Sequence, residues 1–418
     1  MQRKHLPLIA ATVAMAMASA AGYAADAKKD ASKDANKPPP ISKQVIKSLI
    51  AAQTAIKGEK WAECVTNAQT ANAFAEKTPY DEYAINDLLG FCALRVGDSA
   101  TAATSFEMVL NSQFVDPARK ISLLKGLMQI YYQGKNYAKA VEFGKRSVAE
   151  GVADDDVYLF TAQAFYLQND YKGAHDFLVA WLGGLAQKGA VPRENAIQLY
   201  LSSCIKLGDD ACTVRALELA ATHYPKPDIW SNLMTLMLRA NASSEKALLN
   251  IYRLSFEVGA MRRGDDYTEM AQLAMTQGLP GEAQAVLESG IAGGVISSDR
   301  DKSTAQAILA TAKTQSAADR ATLAKQEKDI AAAKTGDPDV KLGLAYLSYG
   351  QFPQAVAAIQ RGIGKGSLKR VTDAEAQLTL GIAQLRAGDK AAAAASFGAV
   401  KGDDTQLRLA RLWAQRAK

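Results

Sequence analysis

The chain has 418 residues, of which 48% are apolar and 22% are charged, and its formal net charge is +6 at pH 7. A chain of this length can bury a sizeable core. Its acids and bases are interspersed along the sequence, without the concentrated basic stripe that nucleic-acid binding requires. Composition and charge therefore indicate a folded protein and exclude nucleic-acid recognition as the expected function.

Residues 1–24 have the layout of a secretory signal peptide. A short basic start precedes the small, apolar run from Leu6 to Ala21, and Gly22 and Ala24 supply small residues before a cleavage point. The run is too short for a comfortable membrane span, so an uncleaved anchor is the less favoured alternative. We expect a soluble mature chain in the periplasm, a compartment that the Ala-rich composition suits.

Residues 25–40 are predicted to be a disordered tether. The segment ADAKKDASKDANKPPP contains no apolar side chain larger than Ala or Pro, so it cannot bury a core, and it ends in a stiff proline run. The folded part is then residues 41–418. Within it, the longer connection at residues 186–194 is a possible hinge.

Turn residues recur through the folded part about every 37 residues, a period typical of helix-pair arrays. One helical hairpin cannot bury its own apolar face, so such hairpins stack on their neighbours. Apolar residues follow helical spacing without sustained alternation, and Gly and Asn tolerate the left-handed angles common at helix ends. We predict an all-α solenoid of about ten hairpins. The predicted turns lie at Gly58, Gly97, Gly134, Asn169, Gly208, Asn241, Gly278, a weak turn near Gln315 and Ser316, Gly350 and Gly388.

Small and aromatic residues at matching positions indicate how the two helices of a hairpin pack. Gly381 is predicted to lie against Ala393, with Phe397 filling the space beside them, and Gly90 and Phe106 have the same roles in another hairpin.

Two stretches near the C-terminal end differ from the regular repeat. Ser297 to Asp337 contains few large apolar residues, and we predict two loosely packed helices there. Asp403 to Lys418 carries Leu409, Leu412 and Trp413, and it is predicted to be a lone helix that caps the last hairpin.

The four cysteines fit an oxidising compartment. Cys204 and Cys212 flank the turn at Gly208 and should face each other across antiparallel helices. Cys64 lies in the second helix of the first hairpin, and Cys92 lies in the first helix of the next. We favour the pairs Cys64–Cys92 and Cys204–Cys212 among the three possible connectivities, with four buried free thiols as the alternative.

The sequence contains no recognisable catalytic constellation. His5 belongs to the predicted signal peptide, while His175 and His223 lie in separate hairpins and lack cysteines at ligand-like spacing. We therefore expect no catalytic residues, no metal site and no cofactor, and we do not expect an enzyme.

Two local patterns have simpler explanations than ligand binding. The segment from Gly362 to Ser367 superficially resembles a phosphate loop, but its lysine is displaced, so we predict a turn between hairpins. Acidic residues at 154–156, 209–210, 265–266 and 403–404 lie at predicted helix starts. There carboxylates accept free N–H groups, so we predict helix caps and not calcium ligands.

The remaining candidate is a surface. In stacked hairpins of this kind the first helices line the concave face, which we predict binds a protein partner. Tyr and Arg provide rigid contact area and forked donors, and Gln and Asn can pair with the main chain of an extended peptide. The predicted partner-binding residues are Arg95, Lys125, Gln129, Tyr132, Gln133, Gln163, Tyr166, Gln198, Lys206, Asn232, Arg239, Gln272 and Arg386.

The segment from Val340 to Gly364 carries the resemblance to a known repeat family. Its small and aromatic positions match those of a tetratricopeptide repeat (TPR), and related hairpins recur from about residue 45 to the end. The matching residues are Gly343, Tyr346, Gly350, Phe352 and Ala355.

Four further stretches resemble a narrower group. They are Asp228–Trp230, Leu249–Leu254, Gly264–Ala283 with its continuation to Gly290, and Leu342–Leu368. These stretches are similar to the secreted TPR proteins found beside TonB–ExbB–ExbD systems in proteobacteria. The resemblance implies an accessory of energised outer-membrane transport, and it supplies no catalytic or ligand residues.

The favoured hypothesis is therefore a non-catalytic periplasmic scaffold or adaptor that binds a protein partner of the cell envelope, as an accessory of TonB-dependent outer-membrane transport. Two alternatives stay open. One is a soluble periplasmic carrier of a lipid or other small molecule, and the other is an assembly or export helper for cell-surface polysaccharide.

Overall fold

The computed structural model describes residues 38–418, so the predicted signal peptide and most of the predicted tether lie outside the described residues. Residues 38–418 form twenty α-helices and no strand, which confirms the all-α prediction. Contacts divide them into an N-terminal unit that ends at Val191 and a C-terminal unit from Pro192 to Lys418. This boundary falls inside residues 186–194, and bending there stays a prediction.

The N-terminal unit is a stack of four helical hairpins. Each helix packs against the next along the chain, and first helices also contact each other, α1 with α3 and α5 with α7. This is the stacking that the repeat period predicts. The helices are α1 (Lys43–Lys57), α2 (Trp61–Asn72), α3 (Pro79–Val96), α4 (Ser99–Leu110), α5 (Pro117–Gln133), α6 (Tyr137–Ala149), α7 (Asp155–Leu167) and α8 (Tyr171–Gln187).

The C-terminal unit contains five hairpins and two single helices, α15 and α20, among its described residues. The hairpins pair α9 with α10, α11 with α12, α13 with α14, α16 with α17, and α18 with α19. The helices are α9 (Glu194–Leu207), α10 (Asp210–His223), α11 (Pro227–Ala240), α12 (Glu245–Glu257), α13 (Gly264–Thr276), α14 (Pro280–Ala292), α15 (Asp299–Ala331), α16 (Asp337–Ser348), α17 (Phe352–Lys365), α18 (Asp373–Arg386), α19 (Lys390–Gly398) and α20 (Asp404–Arg416).

Acidic residues start many of these helices, as predicted. The side chains of Asp154, Asp209 and Asp403 precede α7, α10 and α20 and accept the backbone N–H three residues further on. Asp266, in the first turn of α13, accepts the N–H groups of Arg262 and Arg263. These carboxylates satisfy donors that a helix start leaves without an intrahelical partner.

The predicted turn near Gln315 and Ser316 is wrong. One helix, α15, runs without interruption through 33 residues, and few of its side chains are buried. Its sequence contains no Gly, Pro or Asn and is rich in Ala, Lys and Gln, which favour helix. Apolar residues such as Ala312 and Leu323 pack it into the core. Polar contacts add to this, since the Tyr349 hydroxyl donates to Asp319 at 2.6 Å and the Tyr346 hydroxyl donates to Glu327 at 2.8 Å.

The terminal helix α20 packs on α18 and α19, as a cap should, and it also contacts α10 and α12. Trp413 is fully buried there, in a core cluster that includes Trp230. The Thr405 hydroxyl donates to the Asn241 side chain at 2.9 Å, and Arg408 forms an ion pair with Glu218. The C-terminal unit therefore closes on itself, a feature that the prediction of a simple cap did not include.

Close approach of paired helices explains the small residues at their crossing points. A Cβ at Gly381 would lie 2.5 Å from the Phe397 ring, and one at Gly90 would lie 2.6 Å from the Phe106 ring. Ala393 is fully buried in the same core cluster as Phe397. The predicted packing of Gly381 with Phe397 and of Gly90 with Phe106 is confirmed.

Three of the predicted Gly and Asn turn residues do not have a left-handed angle, and one of them is Asn241, with a φ of −115°. Gly97 has a φ of +87°, as expected for a left-handed helix end. At Gly58 and Gly134, φ is negative, and the left-handed residue is the next one, Glu59 or Lys135. Non-glycine side chains are disfavoured in this region, so these two turns carry a local conformational cost.

Both disulfides have the pairing that the spacing favours. Cys64 is bonded to Cys92 with 5.9 Å between their Cα atoms, and Cys204 is bonded to Cys212 with 5.4 Å. The first bond joins consecutive hairpins, and the second joins the two helices of one hairpin.

Candidate functional site

Seven of the predicted partner-binding residues lie on the first helices of three successive hairpins in the N-terminal unit. All seven side chains are exposed or half-buried. We call this set the first-helix surface. Its members are Arg95 on α3, Lys125, Gln129, Tyr132 and Gln133 on α5, and Gln163 and Tyr166 on α7.

Tyr132 is the best-connected residue of the first-helix surface. Its hydroxyl donates to the Gln163 side-chain oxygen at 2.9 Å, which links α5 to α7. Its ring lies 5.0 Å from the Phe160 ring and 5.9 Å from the Tyr137 ring, measured between centroids. Burial raises the pKa of Tyr132, with a smaller effect from Tyr137. The tyrosine therefore stays a neutral donor beside an amide.

Stacking and ion pairing hold three other side chains of the first-helix surface in place. The Arg95 guanidinium lies 4.3 Å above the Trp61 ring centroid, and the rings of Tyr166 and Tyr171 are 5.0 Å apart. Lys125 forms an ion pair with Asp154 at 2.8 Å. Burial acts to raise the pKa of Asp154, but hydrogen bonds from Lys125 and from a backbone N–H outweigh it and lower the pKa.

The other six predicted residues lie in the C-terminal unit and are exposed. They are Gln198 and Lys206 on α9, Asn232 and Arg239 on α11, Gln272 on α13, and Arg386 on α18.

Contacts inside the unit engage the side chains of Gln198, Arg239 and Arg386. Gln198 donates to Glu194 at 3.0 Å, and Arg239 donates to Asp210 at 2.6 Å. Arg386 forms an ion pair with Glu257 at 2.6 Å and so ties α18 to α12. For Arg386 the structure shows a role in holding this unit together.

A pocket of about 540 Å³ in the C-terminal unit was not predicted. It lies between the first helices α11 and α13, with the second helix α12 and the α12–α13 connection completing the walls. Met234, Leu238, Leu248 and Met261 line its apolar part. We call it the α11–α13 pocket.

Polar side chains surround the α11–α13 pocket. The Tyr252 hydroxyl donates to Glu269 at 2.7 Å, and Arg263 forms an ion pair with Asp266 at 2.9 Å. Arg262 pairs with Asp228 at 3.3 Å. Burial raises the pKa of Tyr252, and its hydrogen bond to Glu269 raises it further. The phenol therefore remains protonated and holds the Glu269 carboxylate in place.

The sequence contained one signal for this pocket, the adjacent pair Arg262-Arg263 before an acidic helix start. Its apolar wall comes from residues spaced as ordinary core positions. Local periodicity alone could not show that α11 and α13 leave a space between them.

The segment that resembles a phosphate loop has a structural role. The Lys365 ammonium donates to Asp339 at 2.7 Å and to the carbonyl oxygens of Ile330 and Ala331 at 3.2 and 3.0 Å. It thus joins α17 to the end of α15. The predicted turn from Gly362 to Ser367 is wrong for its first four residues, because α17 continues to Lys365 and the connection to α18 begins at Gly366. This lysine is already fully engaged by protein acceptors.

The match to a known family falls on the last two hairpins. Residues 340–406 match the family model described as Tetratricopeptide repeat. No curated protein matches the chain. Among residues 38–418, no helix has both the length and the apolar character needed to cross a bilayer.

Solved structures of helical-repeat proteins are similar to the chain at low identity. A tetratricopeptide repeat protein from Parabacteroides merdae is 11% identical, with 65% of this chain and 100% of that chain covered and a TM-score of 0.31. The TPR2AB domain of yeast Sti1, in its complex with pHSP90, is 14% identical, with 72% and 100% covered and a TM-score of 0.25.

Proposed function

We propose that this protein is a non-catalytic periplasmic scaffold that binds a protein partner of the cell envelope, as an accessory of TonB-dependent outer-membrane transport. The main supporting observation is the first-helix surface of the N-terminal unit. TPRs are helix-pair modules, and arrays of this kind use extended surfaces for binding.

The chemistry of the first-helix surface suits a polypeptide. Tyr132 and Tyr166 offer rigid, half-buried rings, and Gln129 and Gln133 offer both amide donors and acceptors beside them. Aromatic side chains contribute contact area at low entropic cost, and amides can pair with the main chain of an extended segment. We therefore propose that a partner segment lies along α5 and α7.

The chain's covalent chemistry supports the proposed compartment. Two disulfides join secondary-structure elements, and such bonds persist in oxidising compartments such as the periplasm. The predicted signal peptide, residues 1–24, supports the same location. The TonB assignment rests on the resemblance of the C-terminal stretches, so identification of the partner is its test.

Site-specific photo-crosslinking in living cells tests this proposal. Tyr132 and Tyr166 are each replaced by p-benzoylphenylalanine, which keeps an aromatic ring at the position. Lys145 on α6 and Lys172 on α8, both exposed on second helices, serve as matched control sites.

We expect the two tyrosine sites, and not the lysine sites, to capture the same envelope protein. A component of a TonB-dependent transport system among the products supports the finer assignment. Equal capture from all four sites, or none from either tyrosine site, would contradict the proposed binding face.

A further inference from the structure

The α11–α13 pocket has the size and construction of a small-molecule site. Its volume, about 540 Å³, lies within the range of roughly 300–1,000 Å³ that is usual for ligand pockets. Helices α11, α12 and α13 supply most of its wall, so its shape does not depend on one long loop.

The apolar wall can accept side chains of different shapes. Met234 and Met261 are both buried and line the pocket, with Leu238 and Leu248 beside them. Thioether side chains are flexible and polarisable, so they fill space around differently shaped apolar groups. This wall selects for an apolar group without selecting one shape.

The polar wall carries charges of both signs in equal number. Arg262 and Arg263 are cationic, and Asp266 and Glu269 are anionic. One oxygen of Glu269 accepts the hydrogen bond from the Tyr252 hydroxyl, and the carboxylate can accept further hydrogen bonds. Arg263 and Asp266 pair with each other, so Arg262 and Glu269 are the two opposite charges that a ligand can meet.

Arg262 can exchange its present ion pair for a ligand at a small cost in free energy. The Arg262 side chain is 51% exposed and that of its partner Asp228 is 91% exposed. Exposed ion pairs contribute little to stability. A carboxylate at the pocket mouth can therefore replace Asp228 as the partner of Arg262.

We infer that the α11–α13 pocket binds a short zwitterionic peptide with an apolar side chain. The ligand carboxylate pairs with Arg262, its ammonium pairs with Glu269, and its side chain lies on the methionine wall. This site is separate from the first-helix surface, so either proposal can fail without the other.

Calorimetric titration of the folded chain with two matched probes tests this inference. Leucyl-leucine has both terminal charges, and N-acetyl-leucyl-leucine amide has neither. We expect leucyl-leucine to bind at least tenfold more tightly, since charge-assisted hydrogen bonds are the stronger ones. Equal affinity, or no binding of leucyl-leucine at millimolar concentration, would overturn the proposal. Binding of dodecanoate in place of leucyl-leucine would overturn it in favour of a lipid site.

Two variants locate the binding site. Arg262→Gln removes one exposed cation, and we expect it to weaken leucyl-leucine binding about tenfold. Thr235 is exposed and lines the pocket, so Thr235→Trp should fill it and abolish binding while the chain stays folded. Arg215→Gln removes an exposed cation on α10, outside the pocket, and is the control. Unchanged affinity in both pocket variants would show that the peptide binds elsewhere.

Discussion

The two units use the same helical hairpin in different ways. In the N-terminal unit, each hairpin contacts its neighbours, and the hydrogen bond from Ser42 to Asp81 spans 39 residues. In the C-terminal unit, α20 returns to α10 and α12, and the hydrogen bond from Arg408 to Glu218 spans 190 residues. The comparison shows that the repeat sequence specifies how neighbouring hairpins stack. In the C-terminal unit, one additional helix, α20, links hairpins that are distant in sequence.

Truncation of Trp413, the buried tryptophan of α20, should have the largest effect on stability. Trp413→Ala empties a fully buried site in the C-terminal unit, and we expect a loss of about 3–5 kcal/mol in its free energy of unfolding. Urea denaturation followed by circular dichroism measures it. Arg411→Ala, on the exposed side of α20, is the control and should change stability by less than about 0.5 kcal/mol. A loss below about 1 kcal/mol for the tryptophan variant would show that α20 does not hold the unit closed.

The two disulfides allow a direct comparison between the units. Cys64 and Cys92 are 28 residues apart, and Cys204 and Cys212 are 8 residues apart. Because a longer closed loop restricts the unfolded chain more, loss of the first bond should cost about 3–4 kcal/mol and loss of the second about 2–3 kcal/mol. Paired Cys→Ala variants, unfolded with urea, test this order. The reverse order would mean that native packing dominates over loop entropy.

Close packing of hairpins should be equally strict in both units. We expect Gly90→Ala and Gly381→Ala each to cost about 1–3 kcal/mol, because the new methyl group would overlap an aromatic ring. Gly183→Ala is the matched control, because open space surrounds Gly183 in α8. This substitution should stabilise the N-terminal unit by about 0.5–1 kcal/mol. Thermal unfolding checks all three. A neutral Gly90→Ala would indicate that the N-terminal stack can widen.

The smallest expected effect concerns a turn. Lys135 has a φ of +60°, so Lys135→Gly should relieve conformational strain and stabilise the N-terminal unit by about 0.5–1 kcal/mol. Gly97→Ala, at a φ of +87°, should destabilise by a similar amount. If both substitutions destabilise, the Lys135 side chain contributes a contact that outweighs the strain.

Local features were predictable from the sequence, and distant contacts were not. Helix caps such as Asp154 and Asp209, and close-packed pairs such as Gly381 with Phe397, depend on residues near in sequence. The repeat period then predicted which helices are neighbours. The continuity of α15 was missed because the repeat period places a turn near Gln315 and Ser316, although the helix contains no Gly, Pro or Asn.

The return of α20 and the α11–α13 pocket were missed for a different reason. The partners Thr405 and Asn241 are 164 residues apart, and no local pattern links them. The pocket depends on the space between two helices, which side-chain periodicity does not encode. Of the predicted partner-binding residues, Tyr132 and Gln163 are in direct contact, but Arg386 is engaged by Glu257.

The closure by α20 also constrains how such a protein can change in length. A hairpin inserted into the N-terminal unit would form new interfaces only with the hairpin before it and the hairpin after it, because helices there contact near neighbours. The same insertion between α12 and α18 would move α20 away from Glu218 and Asn241. Gain or loss of whole repeats is therefore compatible with the N-terminal unit. In the C-terminal unit, the contacts of α20 with α10 and α12 fix the number of repeats.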